Sequence, residues 1–189
     1  MKKFVGSFLV LGFLTISFIG CSENSVSDPL SSDNSQVSLE KRPGNGSTIV
    51  DIAASNPDFE YLVAAVQFAG LAEVLSGNRQ FTVFAPTDQA FEDLADTLGL
   101  ASVGDLLVPE NKELVTNVLL YHVSPGNKNS TNVVSSGRVN TLLKQFIFSK
   151  VEDGAAKVGN DTNGYANILA VDIRATNGTI HVIDKVLLP

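Results

Sequence analysis

From Ser47 to about residue 120 most apolar positions recur with a helical period, and after Ser124-Pro125-Gly126 they alternate as in strands. Asn56-Pro57-Asp58 supplies a capping side chain, a proline suited to a first helical position and an acid suited to a helix N-terminus. Phe59, Leu62, Val63 and Val66 follow at i, i+3, i+4 and i+7, one apolar stripe of a helix that Gly70 stops. A shorter helix is expected over 71–75, ending near Gly77. Residues 81–85 form an aromatic and β-branched run, read as a strand. Pro86-Thr87-Asp88 breaks it, with Thr87 capping a helix that holds Phe91 and Leu94. Another helix is expected from Pro109 or Glu110 to about Leu120, with Leu114, Val115, Val118 and Leu119 facing inward. Tyr121-His122-Val123 should leave it as a strand, stopped by Ser124-Pro125-Gly126.

The period-two pattern then predicts strands over 139–149, 150–158 and 168–174. Thr176-Asn177-Gly178-Thr179 reads as a type I′ hairpin turn into a last strand over 180–188, since Asn-Gly supplies positive φ readily. Helices early and antiparallel strands late point to an α+β domain without internal repeats. Residues 159–164 are a turn: a calcium loop here would need carboxylates where Gly159 and Ala170 stand.

The N-terminal segment has a different character. Lys2 and Lys3 precede an apolar stretch over 4–19, too short to span a membrane comfortably, and the small Gly20 precedes Cys21. Residues 1–20 therefore read as an export signal. Phe18-Ile19-Gly20-Cys21 resembles the lipobox of bacterial lipoproteins, with Phe18 where leucine is usual. That resemblance implies lipidation of Cys21 and cleavage before it, so that a membrane becomes a partner through acyl chains on Cys21. Two or three chains are needed for a stable anchor. The alternative is an ordinary secretory signal followed by a chance cysteine. Ser22 stands where an aspartate commonly marks inner-membrane retention, which favours the outer membrane, with either face possible. Residues 21–46, rich in Ser, Asn, Asp, Pro and Gly, read as a disordered tether reaching on the order of 25–30 Å.

Composition narrows the function further. The chain has 189 residues, 44% of them hydrophobic, enough for one domain with a real core plus a tail. Its net charge is -7. Without residues 1–20, eleven basic residues face twenty acidic ones. Such a surface repels phosphate backbones, so no nucleic-acid partner is expected. Cys21 is the one cysteine, which excludes an internal disulfide, a C-x-x-C redox pair and a thiolate zinc cluster.

Three stretches together resemble the fasciclin (FAS1) family. They are the run from Phe81-Thr82-Val83-Phe84-Ala85-Pro86-Thr87-Asp88 to Phe91, then Tyr121-His122-Val123, then the run from Ala175-Thr176-Asn177-Gly178-Thr179-Ile180-His181-Val182 to Pro189. Ser47-Thr48-Ile49-Val50-Asp51-Ile52-Ala53 looks like the opening of such a domain, so the likeness covers 47–189. It implies an α+β domain in which a β-sandwich or wedge packs beside a helical layer. It also implies a secreted or surface-attached protein that adheres to matrix, cells or other proteins. The expected function is thus a lipid-anchored envelope protein binding a protein or glycan, with no cofactor. The alternative is a carrier of a small apolar ligand, pigment or lipid, because some relatives of this fold hold pigments in hydrophobic clefts.

The same resemblance nominates partner-binding residues. Tyr121 and His122 match a dipeptide associated with adhesion; the plainer reading is a buried, hydrogen-bonded pair. Asp172 and Ile173 align with the core of integrin-binding motifs of animal relatives, although Ala170, Val171 and Arg174 depart from them. Strict alternation instead places Asp172 and Arg174 on an outer face and Val171 and Ile173 on an inner one. His181 reads as a core histidine. No G-x-S-x-G elbow, H-E-x-x-H pair, phosphate-binding loop or dinucleotide fingerprint occurs, so no catalytic or metal residue is predicted. The sequons at Asn45, Asn129, Asn160 and Asn177 read as by-products of turn composition.

Overall fold

The computed structural model describes residues 46–152 and 154–189. Cys21, the signal over 1–20 and the tether up to residue 45 lie outside the described residues. Thr48 opens α1 (Ile49–Ala54) with a capping box: its hydroxyl accepts from Asp51 N–H, while the Asp51 carboxylate accepts from Thr48 N–H at 2.9 Å. Asn56 caps a 3-10 turn, Pro57–Phe59, that runs into α2 (Glu60–Phe68), followed by α3 (Ala72–Ser76). The free N–H groups of Glu60 and Tyr61 are accepted by the carboxylate of Asp88, at 3.1 and 2.9 Å. Asp88 also begins α4 (Asp88–Leu98), so one acid serves two helix N-termini, as the dipoles of both favour. α5 (Lys112–His122) and α6 (Ser130–Ser136) complete the helices of the described residues.

The strands are β1 (Phe81–Pro86), β2 (Val123–Pro125), β3 (Arg138–Asn140), β4 (Phe146–Glu152), β5 (Ala155–Asn160), β6 (Gly164–Ala175) and β7 (Gly178–Ile183). They form one sheet in the order β2-β1-β7-β6-β5-β4-β3. All neighbours are antiparallel except β1 and β7, which run parallel from Phe81↔Gly178 to Pro86↔Ile183. β6 carries two register shifts, one between Ile168 and Ala170 and one between Ala170 and Ile173. Such bulges bend a strand, and here the sheet folds about β6 into a wedge. Its two ends approach: Leu142 N–H donates to Val123 O at 2.7 Å and the Ser124 hydroxyl to Asn140 O at 2.8 Å.

Two cores follow. Phe84, Tyr121, Val133, Ile147, Val158 and Ile183 fill the inside of the wedge. Phe81, Val83, Ile180 and Val182 face the other way and pack with Phe59, Leu62, Phe91 and Leu119 of the helical layer. β1 is buried along its whole length because both faces are covered, which explains why it reads as a continuous apolar run. Both cores and every strand pairing of the described residues belong to one compact unit, Pro43–Pro189.

Several expectations are corrected. Tyr121 and His122 do not leave α5 as a strand; they are its last two residues, and β2 starts at Val123. The stretch 139–149 is split by a turn in which Lys144 takes φ 62°, and the last strand ends at Ile183, not near 188. α1 and α6 are short helices without enough turns to show an apolar stripe. Leu114 is 53% exposed, since α5 rests on the core through Val118 and Leu119. The final hairpin pairs Ala175 with Gly178, so Thr176 and Asn177 form the turn, without a positive φ at Asn177.

Tertiary packing sets that register. Asn177 is buried, accepts from Ile49 N–H at 2.9 Å and donates to Leu75 O at 2.6 Å and Gly77 O at 3.1 Å. One amide thereby ties α1, the end of α3 and the β6–β7 turn together. A Cβ on Gly178 would lie 1.9 Å from Phe81 O, so only glycine allows β7 to approach β1 here. Asn177→Ala should destabilise the domain by about 3 kcal/mol in urea titration with an unchanged slope, and Gly178→Ala by at least as much. A loss under about 0.5 kcal/mol for either would show that the node does not hold the fold.

Candidate functional site

α5 delivers Tyr121 and His122 to opposite sides of the β1 layer, and both are buried, with 1% and 2% of their surface exposed. His122 Nδ1–H donates to Val118 O at 2.7 Å, one helical turn back, and Nε2 accepts from Leu187 N–H at 2.9 Å. Those partners admit one neutral tautomer. A second ring proton would point at the Leu187 amide hydrogen, in a buried place. Burial accordingly lowers the His122 pKa to about 4, against a smaller upward pull from Val118 O. The Tyr121 hydroxyl donates to Phe146 O at 3.0 Å and accepts from Asn160 Nδ2 at 3.1 Å. Asn160 also donates to Leu188 O at 2.8 Å, so the dipeptide and the β5–β6 turn hold the C-terminal strand extension in place. Neither side chain offers a group to solvent; the hydrogen-bonded pair is the reading that the geometry matches.

Asp172 occupies the second bulge of β6 in the left-handed region, φ 58°. The bulge overturns the strict alternation expected here: Val171 is 47% exposed rather than inward, while Ile173 is half-buried against the helical-side core. The Asp172 carboxylate turns to α6, accepting from Ser130 N–H at 2.8 Å and from the Ser130 hydroxyl at 2.6 Å. That hydroxyl bond is the main cause that holds its pKa below the usual aspartate range. Its own N–H donates to His181 Nδ1 at 3.3 Å, and His181 Nε2–H donates to Lys128 O at 3.1 Å. His181 is thus fixed in the tautomer opposite to that of His122, with its pKa lowered by burial and its ring 5.6 Å from that of Phe84. The two histidines share no partner. Asp172 meets open surface in a polar depression of about 150 Å³ that also takes in Asn127, Asn129, Asn132, Arg174 and Thr179.

A feature that the sequence reading missed lies in the helical layer. α4, α5 and the C-terminal segment frame an apolar groove of about 160 Å³, lined by Leu94, Leu98, Leu107, Leu114, Val115 and Leu188 among others. Leu98 and Leu114 stand 51% and 53% exposed on its rim. Their signal was an apolar stripe on each helix wider than the core uses. Among the described residues, no three His, Cys, Asp or Glu side chains gather as a metal set, and no helix is long and apolar enough to cross a membrane.

The family described as "Fasciclin domain" matches residues 57–189. A Synechocystis protein, sll1483, is 40% identical over 93% of this chain and 92% of its own length. The immunogenic protein MPB70 of Mycobacterium bovis is 32% identical over 90% of this chain and 80% of its own. The transforming growth factor-beta-induced protein ig-h3 of Sus scrofa is 35% identical over 75% of this chain, which spans only 19% of that longer protein. Among solved structures, the FAS1 domain pair of the insect cell adhesion molecule Fasciclin I superposes with a TM-score of 0.67 at 21% identity, over 76% of this chain and 51% of that one. That likeness carries the fold.

The buried histidines make stability depend on pH. His122 has a folded-state pKa of about 4 against 6.5 when unfolded, so the unfolded chain binds more protons between those values. Stability is complete above the unfolded value and falls as the pH drops towards the folded one. From about pH 7.5 to about pH 5, urea unfolding should report a loss of about 2 kcal/mol from His122. His181 adds to it with the same sign, and His122→Gln should flatten the slope. A stability constant across that interval would contradict the assignment.

Proposed function

The chain belongs to the fasciclin family, and starting from that membership we propose that it is an exported, lipid-anchored envelope protein whose single domain binds protein or glycan partners rather than catalysing a reaction. One observation carries this reading. The side chains with reactive potential, Tyr121, His122, Asp172 and His181, are engaged in holding α5, α6, β6 and the C-terminal segment together. No buried side-chain nitrogen or oxygen among the described residues lacks a partner, so none is held in reserve for a reacting group. What remains for function is the surface. The lipobox-like Phe18-Ile19-Gly20-Cys21 supports the anchor, Ser22 after it favours the outer membrane, and the tether length supports a domain held clear of headgroups.

The apolar groove between α4 and α5 favours a second reading, in which the domain carries a small apolar molecule such as a pigment or lipid. The two readings separate on purification. Under the first, protein isolated from its native membrane has no visible absorbance and no co-extracted lipid beyond its own anchor. It also binds matrix or neighbouring cells, and surface protease removes it from intact cells. Mass spectrometry should find acyl chains at Cys21. An unmodified thiol there would remove the anchor, and full protease protection without any binding would remove the adhesive role.

A further inference from the structure

β4 alternates sharply. Ile147 is fully buried, while Phe146 and Phe148 on either side of it are 44% and 42% exposed on the outer face of the wedge. Phe148 lies in register with Gly159, and Gly159 with Tyr165, so two aromatic residues flank a position that adds no side chain. At the usual strand spacing their backbones are about 10 Å apart. Cations lie over two of the rings: the Arg138 guanidinium is 4.9 Å from the Phe146 ring centroid and the Lys150 ammonium 4.0 Å from that of Tyr165, while Phe148 carries none and the Tyr165 hydroxyl donates to Asp161 at 2.8 Å. Lys150 and Lys157 pair across β4 and β5 on the same face, and both reach Glu152, at 3.4 and 2.8 Å.

Charge is divided along the chain in the same sense. Residues 46–123, the helical half, hold two basic and eleven acidic residues. Residues 124–189, the sheet half, hold seven basic and five acidic ones. A polyanion is therefore repelled by the helical layer and admitted at the outer sheet face, which orients it before contact.

We propose that the outer face of β3–β6, centred on Phe146, Phe148 and Tyr165, is a docking surface for a polysaccharide bearing carboxylates. This rests on the interaction-module reading and names its partner and its face. The exposed rings of Phe146 and Phe148, with the half-buried Tyr165 beside them, match the C–H face of a sugar ring, whose weakly positive hydrogens meet the negative face of the π system. The cations beside the rings answer the carboxylates at the sugar's edge. A lipid surface fits less well, because charged side chains surround the rings. Glu152 is a competitor for the lysines. Exposed ion pairs of this kind are weak, so an incoming carboxylate displaces it.

The test is affinity electrophoresis of the 46–189 segment through gels containing polygalacturonate, with dextran as the neutral control. Retardation by polygalacturonate alone is expected, weakening as salt is added. Phe148→Ser should weaken it roughly tenfold. Glu152→Gln should strengthen it a few-fold by releasing Lys150 and removing a competing carboxylate, an effect that a merely structural role would not produce. Unfolding midpoints check that the variants fold, and Arg138→Gln, at an exposed site, replaces Phe148→Ser if that chain does not. The proposal is overturned by equal retardation in dextran or by no retardation in polygalacturonate. Tighter binding to single-stranded DNA or to phosphatidylglycerol vesicles, or full binding by the variants, overturns it as well. Cell binding that persists without any polygalacturonate binding would sink this face while leaving the adhesive role standing.

Discussion

The parallel seam between β1 and β7 is the constraint from which the rest of the domain follows. A parallel pair cannot be joined by a tight turn, so the chain between Pro86 and Gly178 is one long crossover. That crossover contains three α-helices, two 3-10 turns and five strands, of which β2 pairs with β1 directly and the bent β6 leads into β7. The Asn177–Gly178 node completes the closure. Its amide reaches backbone groups separated from it by 128, 102 and 100 residues, and its glycine permits the approach to Phe81. Contacts of such sequence separation give slow folding and a cooperative fold in which few pieces are stable alone.

With the seam closed, four polar side chains fasten what lies around it. His122 holds Leu187, Tyr121 holds Phe146, Asp172 holds α6, and His181 holds the chain at Lys128 and Asp172. These bonds fix loops and chain ends that no regular ladder reaches, which is why polar residues tolerate burial there. On the outer surface the helical half is acidic and the sheet half presents aromatic rings beside cations.

The domain's class, most helix starts and β1 were legible in the sequence, because they depend on local signals: Asn56-Pro57-Asp58, the Phe59–Leu62–Val66 stripe and the run into Pro86. The parallel pairing was not legible, since strand direction is decided by contacts across the fold. Nor was the position of the last turn, because Asn177 is drawn inside by Ile49, Leu75 and Gly77 rather than left at a type I′ corner. The β6 bulges escaped notice because a bulge breaks the alternation by which strands are read, and Asp172 lies within one. For the site, the residue types were found but their partners were not. Tyr121 and His122 look alike in a dipeptide, yet one faces the wedge and the other lies beneath the C-terminal segment.

The central claim is that both histidines are neutral structural elements held in opposite tautomers. Long-range nitrogen-15 NMR of the 46–189 segment near neutral pH measures this directly. The account predicts a proton on Nδ1 of His122 and on Nε2 of His181, with both rings uncharged well below the usual histidine range. Rapidly exchanging tautomers, or a ring that titrates as in an unfolded peptide, would contradict it.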